Sequence, residues 1–212
     1  MITKQVEDYL KSLIPARSKE VEQIEAYAKE HEVPIMDLVG MESLLHQLKL
    51  INSKRILEIG AAIGYSSIRM AQALPEASII TIERDQERYD QALINISTVN
   101  LSNQIEVKFG DALDLVQILE SEPLFDVLFI DAAKGQYQRF FEMYGQFVKK
   151  GGVIFSDNVL FRGLVAEEDI DNKRLRNLAS KIQRYNKWLM EHPDYETRIL
   201  PVGDGLAVSI KK

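Results

Sequence analysis

Cysteine is absent from this 212-residue chain, which removes disulfides, thiolate metal ligands and thiol nucleophiles. Histidine is scarce. His31, His46 and His192 lie far apart with no spacing that would join them into a zinc site, so each reads as structural. A Walker-type phosphate loop, a nucleophile elbow and a GxGxxG fingerprint are missing too, which turns the reading away from phosphoryl transfer, serine hydrolysis and nicotinamide chemistry. The first residues hold no long apolar run and carry Lys4, Glu7 and Asp8, so neither a signal peptide nor a membrane span is expected and the cytoplasm is the default address. With no repeat, low-complexity stretch or visible boundary, residues 1–212 are expected to form a single domain, in which 1–50 are a helical cover.

Basic charge is in deficit overall, 26 Lys and Arg against 32 Asp and Glu, net −6. That argues mildly against a protein coated in nucleic acid, although the placement of charge matters more than its sum. Residues 134–192 hold eleven basic and seven acidic side chains, net +4, leaving −10 for the rest.

What is present is alternation. Three amphipathic helices are expected first, over Ile2 to Leu13, Lys19 to His31 and Met36 to Leu50. Short apolar runs then recur at Arg55 to Ile59, Ser78 to Glu83, Ile105 to Phe109, Phe125 to Ile130 and Val153 to Phe155. Helical patterns separate them at Ser66 to Ala73, Asp85 to Val99 (apolar face Leu93, Ile96, Val99), Leu113 to Leu119 and Tyr137 to Val148, the last ended by Gly151-Gly152. This is an α/β sheet covered on both faces. A loop from Val159 to Asp171, a helix from Arg174 to Leu189, and two strands, Tyr195 to Leu200 and Leu206 to Ile210, reversing through Pro201 to Gly205, complete the chain.

The first strand runs into Glu58-Ile59-Gly60-Ala61-Ala62-Ile63-Gly64-Tyr65-Ser66. Gly60 and Gly64 allow the backbone to approach a ligand at a strand's carboxyl end, and Glu58 directs a carboxylate at the pocket, where a pyrophosphate would be repelled. A cationic or uncharged ligand is favoured, and S-adenosylmethionine is the common cofactor of that kind. Glu83 ends the second strand and can accept hydrogen bonds from a ribose diol. Asp111, between Gly110 and Ala112, either meets the adenine end or caps the next helix. Asp131 and Asp157-Asn158 end neighbouring strands, and two carboxylates with an amide oxygen suit a hard cation such as Mg²⁺. Lys134 follows Asp131 closely enough to face the same cavity, where burial or positive charge would bring its pKa toward that of a base.

These residues resemble the cation-dependent class I O-methyltransferases, which include catechol and caffeoyl-CoA O-methyltransferases. The resemblance spans about residues 34–211 and rests on Ile56-Leu57-Glu58-Ile59-Gly60, Gly64-Tyr65-Ser66, Glu83, Gly110-Asp111-Ala112, Phe129 to Lys134 and Asp157-Asn158. Within the family, Asp131 to Tyr137, Asp157 to Phe161 and Pro201 to Leu206 are similar to the bacterial tRNA 5-hydroxyuridine methyltransferases. The resemblance implies a Rossmann-like class I methyltransferase fold, with a mostly parallel seven-stranded sheet, an antiparallel last strand and N-terminal helices, in a homodimer. It also implies S-adenosylmethionine held by Met36, in the helix before the sheet, with Glu58, Gly60, Ser66, Glu83, Gly110, Asp111, Ala112 and Asp131. Mg²⁺ or another divalent cation would be held by Asp131, Asp157 and Asn158, and Lys134 would be the base. The expected reaction is O-methylation of 5-hydroxyuridine at tRNA wobble position 34, giving 5-methoxyuridine, with Arg162, Lys173, Arg174 and Arg176 guiding the anticodon region. The alternatives are a small catechol or caffeoyl-CoA-like acceptor, and a cofactor-binding protein with a vestigial site.

Overall fold

The computed structural model describes residues 3–212. Seven strands, β1 (Arg55–Ile59), β2 (Ser78–Glu83), β3 (Ile105–Phe109), β4 (Phe125–Ile130), β5 (Val148–Ser156), β6 (Tyr195–Leu200) and β7 (Leu206–Lys211), form one sheet in the order β3-β2-β1-β4-β5-β7-β6. Strands β1 to β5 pair in parallel, while β7 runs antiparallel to both β5 and β6. The order reverses between β1 and β4, and a crevice at the carboxyl ends of the strands is the ligand site such sheets offer.

Successive residues in the central strands point to opposite faces, so both faces must be covered. Ile56, Val127, Phe129 and Phe155 pack under α2 (Lys19–Glu30), α3 (Leu38–Leu50), α4 (Tyr65–Ala73) and α5 (Gln86–Thr98). Leu57, Leu128, Ile130 and Ile154 pack under α6 (Tyr137–Gly145) and α7 (Lys173–Glu191). Val21, Ile24, Leu44 and Leu48 share the first of these cores, so α2 and α3 are held by the sheet side rather than by a core of their own. Helix α1 (Lys4–Leu13), whose expected start at Ile2 lies outside the described residues, has no buried residue. His31 stacks on Tyr27 at 4.1 Å, and His192 packs between Trp188 and Tyr195 at 4.7 and 4.9 Å.

Four local expectations are corrected. Met36 precedes α3, whose N-cap is Asp37, with its carboxylate accepting from Val39 and Gly40. In α5 the buried face is Ala92, Asn95 and Ile96, while Leu93 is 42 % exposed; Asn95, outside the expected apolar face, donates to the Ile63 carbonyl at 2.8 Å and ties α5 to the glycine loop. The helix expected over Leu113 to Leu119 shrinks to a 3₁₀ turn at Val116–Leu119, because Asp111 accepts from the Leu113 N–H in a tight turn that starts the segment differently. Finally, β5 begins at Val148, and the Gly151-Gly152 pair lies inside it at a bulge, where pairing slips between Phe125 and Val127.

Candidate active site

The carboxyl ends of β1 to β5 converge on a cavity of about 770 Å³, within the usual range of roughly 300–1,000 Å³ for small-molecule sites. Met36, Gly60, Ser66, Glu83, Gly110, Asp111, Ala112, Asp131, Lys134, Asp157, Asn158 and Arg162 all line it. The loop after β1 must pass directly over the end of β4. Gly60 sits at φ +103°, and a Cβ there would collide with the Asp131 carbonyl oxygen, so glycine is what allows the two strand ends to close the floor together.

Glu83 is buried and fixed by the backbone. Its Oε1 accepts from the N–H groups of Arg84 and Asp85 at 2.8 Å each, and its Oε2 from Ala62 at 2.7 Å. Asp111 accepts from Leu113 at 2.9 Å and pairs with Arg84 at 3.2 Å; the Leu113 N–H, together with Arg84, holds its carboxyl below the usual range. Glu58 departs from expectation. It is fully buried beneath the cavity rather than lining it, and accepts from the hydroxyls of Ser66 and of Thr81, the latter at 2.6 Å. Burial pushes its pKa up to about 7. A strand-end position set its depth but not its direction, which follows the pleat.

The other end of the cavity is built differently. Asp131 and Asp157 lie at adjacent strand ends, and among the described residues the one donor they share is the Asn158 amide nitrogen, at 3.2 and 2.9 Å. Burial raises both pKa values, Asp131 to about 6, and mutual repulsion adds to the shift of Asp157. Among the described residues no group of three or more His, Cys, Asp or Glu forms a metal cluster; the candidate is two carboxylates and one amide. This donor set fits a divalent cation. Positive charge relieves the carboxylate repulsion, and half a turn of the Asn158 amide presents its oxygen. Asn158 has φ +61°, a conformation asparagine tolerates, and the turn is braced by Tyr137 donating to the Asp157 carbonyl at 2.9 Å and Asn186 donating to the Val159 carbonyl at 2.8 Å.

Lys134 is half-buried, with Nζ 5.9 Å from the Phe161 ring centroid. Burial holds its ammonium below the usual lysine pKa, against the opposing pull of Asp131, Asp204 and Asp157. Asp37 and Asp204 also line the cavity and were missed in the sequence, where one falls inside the helix expected over Met36 to Leu50 and the other in the turn over Pro201 to Gly205. Asp204 accepts from the Arg162 N–H, while its carbonyl and that of Gly205 accept from Leu160 and Val159 at 2.9 and 3.0 Å. Gly205, at φ +91°, has no room for a Cβ against Leu160. The β6–β7 turn therefore clasps the loop after β5.

With this geometry in place, the family follows from comparison. A family model described as O-methyltransferase matches residues 15–212. The chain belongs to the O-methyltransferase family. Among curated relatives of this O-methyltransferase are plant caffeoyl-CoA O-methyltransferases. That of Zinnia elegans is 38 % identical over 168 residues, 76 % of this chain and 69 % of that one. A Staphylococcus aureus structure, described provisionally as a caffeoyl-CoA O-methyltransferase, is 35 % identical with a TM-score of 0.89, covering 99 % of this chain and 98 % of that one. An O-methyltransferase from Bacillus cereus, solved in complex with SAH, is 27 % identical with a TM-score of 0.83, covering 98 % and 97 %.

These relatives overturn the wobble-uridine reading and, with it, tRNA as the partner. The motifs that carried it, Asp131 to Tyr137, Asp157 to Phe161 and Pro201 to Leu206, build the carboxylate end and its clasp, which describe the reaction centre and not the acceptor. Nor do the four basic residues form one track. Lys173 and Arg174 line a separate shallow depression with Lys181, Arg176 donates to the Ile170 and Asp171 carbonyls at 2.9 and 3.4 Å, and Arg162 alone lines the cavity. The homodimer expected alongside has no support in these relatives. Among the described residues no helix is long and apolar enough to cross a membrane.

Proposed function

We propose that this chain transfers the methyl group of S-adenosylmethionine to a hydroxyl of a small phenolic acceptor of the caffeoyl-CoA type, assisted by Mg²⁺ or a similar divalent cation, in the cytoplasm, and that residues 1–212 act as one domain with 1–50 as its cover. The observation that carries this is one cavity whose two ends differ in chemistry: carboxylates already satisfied by backbone donors at one, and two mutually repelling carboxylates with an amide and a lysine at the other. The plant relatives and the SAH complex of the B. cereus relative support it.

When bound, the sulfonium donor supplies an electrophilic methyl and the cation supplies Lewis acidity that lowers the proton affinity of a phenol. The chain's residues do the rest. Glu83 keeps lone pairs free on oxygens that three N–H groups hold still, so it accepts ribose hydroxyls without reorganising. Asp111, Gly110 and Ala112 would border the adenosine end, and Gly60, Ser66 and Met36, which also line the cavity, the methionine end. Asp131, Asp157 and Asn158 would hold the cation. Lys134 is placed to receive or steady the acceptor's proton, since burial has already weakened its own hold on one.

The test is purified protein with methyl-labelled S-adenosylmethionine and caffeoyl-CoA, caffeate or catechol, with Mg²⁺ or with a chelator. A labelled methyl ether that disappears on chelation is expected. S-adenosylhomocysteine binding with no phenol labelled under any condition would overturn the reading in favour of a cofactor-binding protein.

A further inference from the structure

Among the charged side chains that line the cavity, acids outnumber cations: Glu7, Asp37, Glu83, Asp111, Asp131, Asp157 and Asp204. Four cations interrupt them, and their stations differ. Arg84 is paired with Asp111 at 3.2 Å, and Arg88 belongs to the first turn of α5, beside the end where Glu83 lies. Of these four, Lys134 and Arg162 stand beside the Asp131–Asp157 end, close enough to act on one another's charge.

Arg162 is held there at a cost. Phe161, Arg162 and Gly163 occupy the left-handed region in succession, at φ +47°, +55° and +86°, and for the two non-glycine residues this is a conformation that persists only when the surroundings enforce it. The enforcement is visible in the Asp204 carboxylate, which accepts the Arg162 N–H, and in the two backbone bonds from Val159 and Leu160 to the β6–β7 turn. Among the described residues the exposed guanidinium makes no hydrogen bond or ion pair, although the backbone is anchored. A loop that merely needed to turn would not require a free, exposed cation at its tightest point, on the cavity edge.

We infer that Arg162 is a specificity-determining residue that selects acceptors carrying an anionic group, a carboxylate or a phosphate, at a position other than the reacting hydroxyl. The inference rests on the proposed O-methyl transfer and deepens it by naming the acceptor class. Arginine's planar fork matches a carboxylate or phosphate with two parallel bonds. In a cavity whose charged lining is mostly acidic, a negative acceptor is repelled unless such a partner meets it.

The test compares wild type with Arg162→Gln and Arg162→Lys on catechol, on 3,4-dihydroxybenzoate and on a catechol bearing a phosphate ester, with calorimetric binding of each acceptor in the absence of methyl donor. Wild type should favour the anionic acceptors. Arg162→Gln should lower kcat/KM for them at least about ten-fold more than for catechol, mainly through KM, as expected for a lost charge-assisted pair. Arg162→Lys should recover part of the loss, and the ester–carboxylate difference identifies which anion fits. An equal loss on charged and neutral acceptors, or none, overturns the inference. If wild type binds the anionic diphenols through Arg162 but methylates nothing, the selectivity stands and the transfer reading fails; if it binds neither anion more tightly than catechol, the selectivity itself fails.

Discussion

The two ends of the cavity use the same residue type in opposite ways. At the β2 end, both oxygens of Glu83 are engaged by three backbone N–H groups, and Asp111 is held by an N–H and a guanidinium. At the β4–β5 end, Asp131 and Asp157 share a single amide nitrogen and repel one another. A carboxylate steadied by neutral donors is ready to accept hydroxyl protons from a sugar; a pair left in mutual repulsion is stabilised most by a dication. On the proposed function, the division of labour between donor binding and acceptor activation is drawn by which carboxylates the backbone satisfies.

The sharpest way to break that division is Asp157→Ala. Methyl transfer should fall by roughly 10²–10³-fold as the carboxylate pair is lost, while calorimetry of S-adenosylhomocysteine should show a far smaller change. Comparable losses in both measurements would mean that the two ends are one site. Next in size is Glu58, which lies under the donor end yet is not stabilised as an anion. Its pKa of about 7 in the fold, against 4.5 in an unfolded chain, means that the folded state binds the extra proton between those values. The stabilising contribution is present below about pH 4.5 and lost as pH rises through 7, roughly 3 kcal/mol in all. Glu58→Gln should therefore flatten the fall in Tm between pH 5 and 8, with one of the Ser66 and Thr81 hydroxyls turning to accept; a parallel shift of the whole curve would show that Glu58 is ionised in the fold. Asp131 and Asp157 add slopes of the same sign that the variant retains. Smaller again, Glu83→Gln should raise the apparent Kd for S-adenosylhomocysteine about ten- to thirty-fold, since one amide oxygen cannot accept all that two carboxylate oxygens do.

Much of this contrast is legible in the chain. The strand ends at Glu83, Asp111, Asp131 and Asp157 follow from apolar runs that stop at an acid, and the order of the sheet brings those ends to one edge. What local pattern does not carry is direction and contact across elements. Whether Glu58 faces the cavity depends on the pleat, and Asn95 is polar in a buried position because its partner is a carbonyl 32 residues earlier in the chain. Asp204 looks like any turn acid until the turn is laid against the Phe161 loop. The acceptor was the least legible part, because the motifs resembling a tRNA enzyme describe the shared carboxylate end, whereas acceptor choice depends on loops whose shape no spacing encodes.

The finest distinction concerns how the helical cover is joined to the donor end. Tyr65, which lines the cavity, donates to Glu25 of α2 at 2.9 Å and accepts from Arg69 at 3.0 Å; Glu25 is gripped by Arg17 at 2.8 and 3.0 Å, and Arg69 reaches Glu42 of α3. Burial alone would raise the Glu25 pKa, yet Arg17, Tyr65 and Arg69 together hold it below the usual value, so the network favours the charged form. Tyr65→Phe keeps the ring and deletes the bridge. Because Glu25 retains Arg17, the loss should be only about 1 kcal/mol, seen as a Tm lower by roughly 2–4 °C, with S-adenosylhomocysteine affinity reduced less than in Glu83→Gln. If the affinity loss instead exceeds that of Glu83→Gln while Tm is unmoved, the cover is part of the donor end, and the boundary between the two chemistries lies at the acceptor alone.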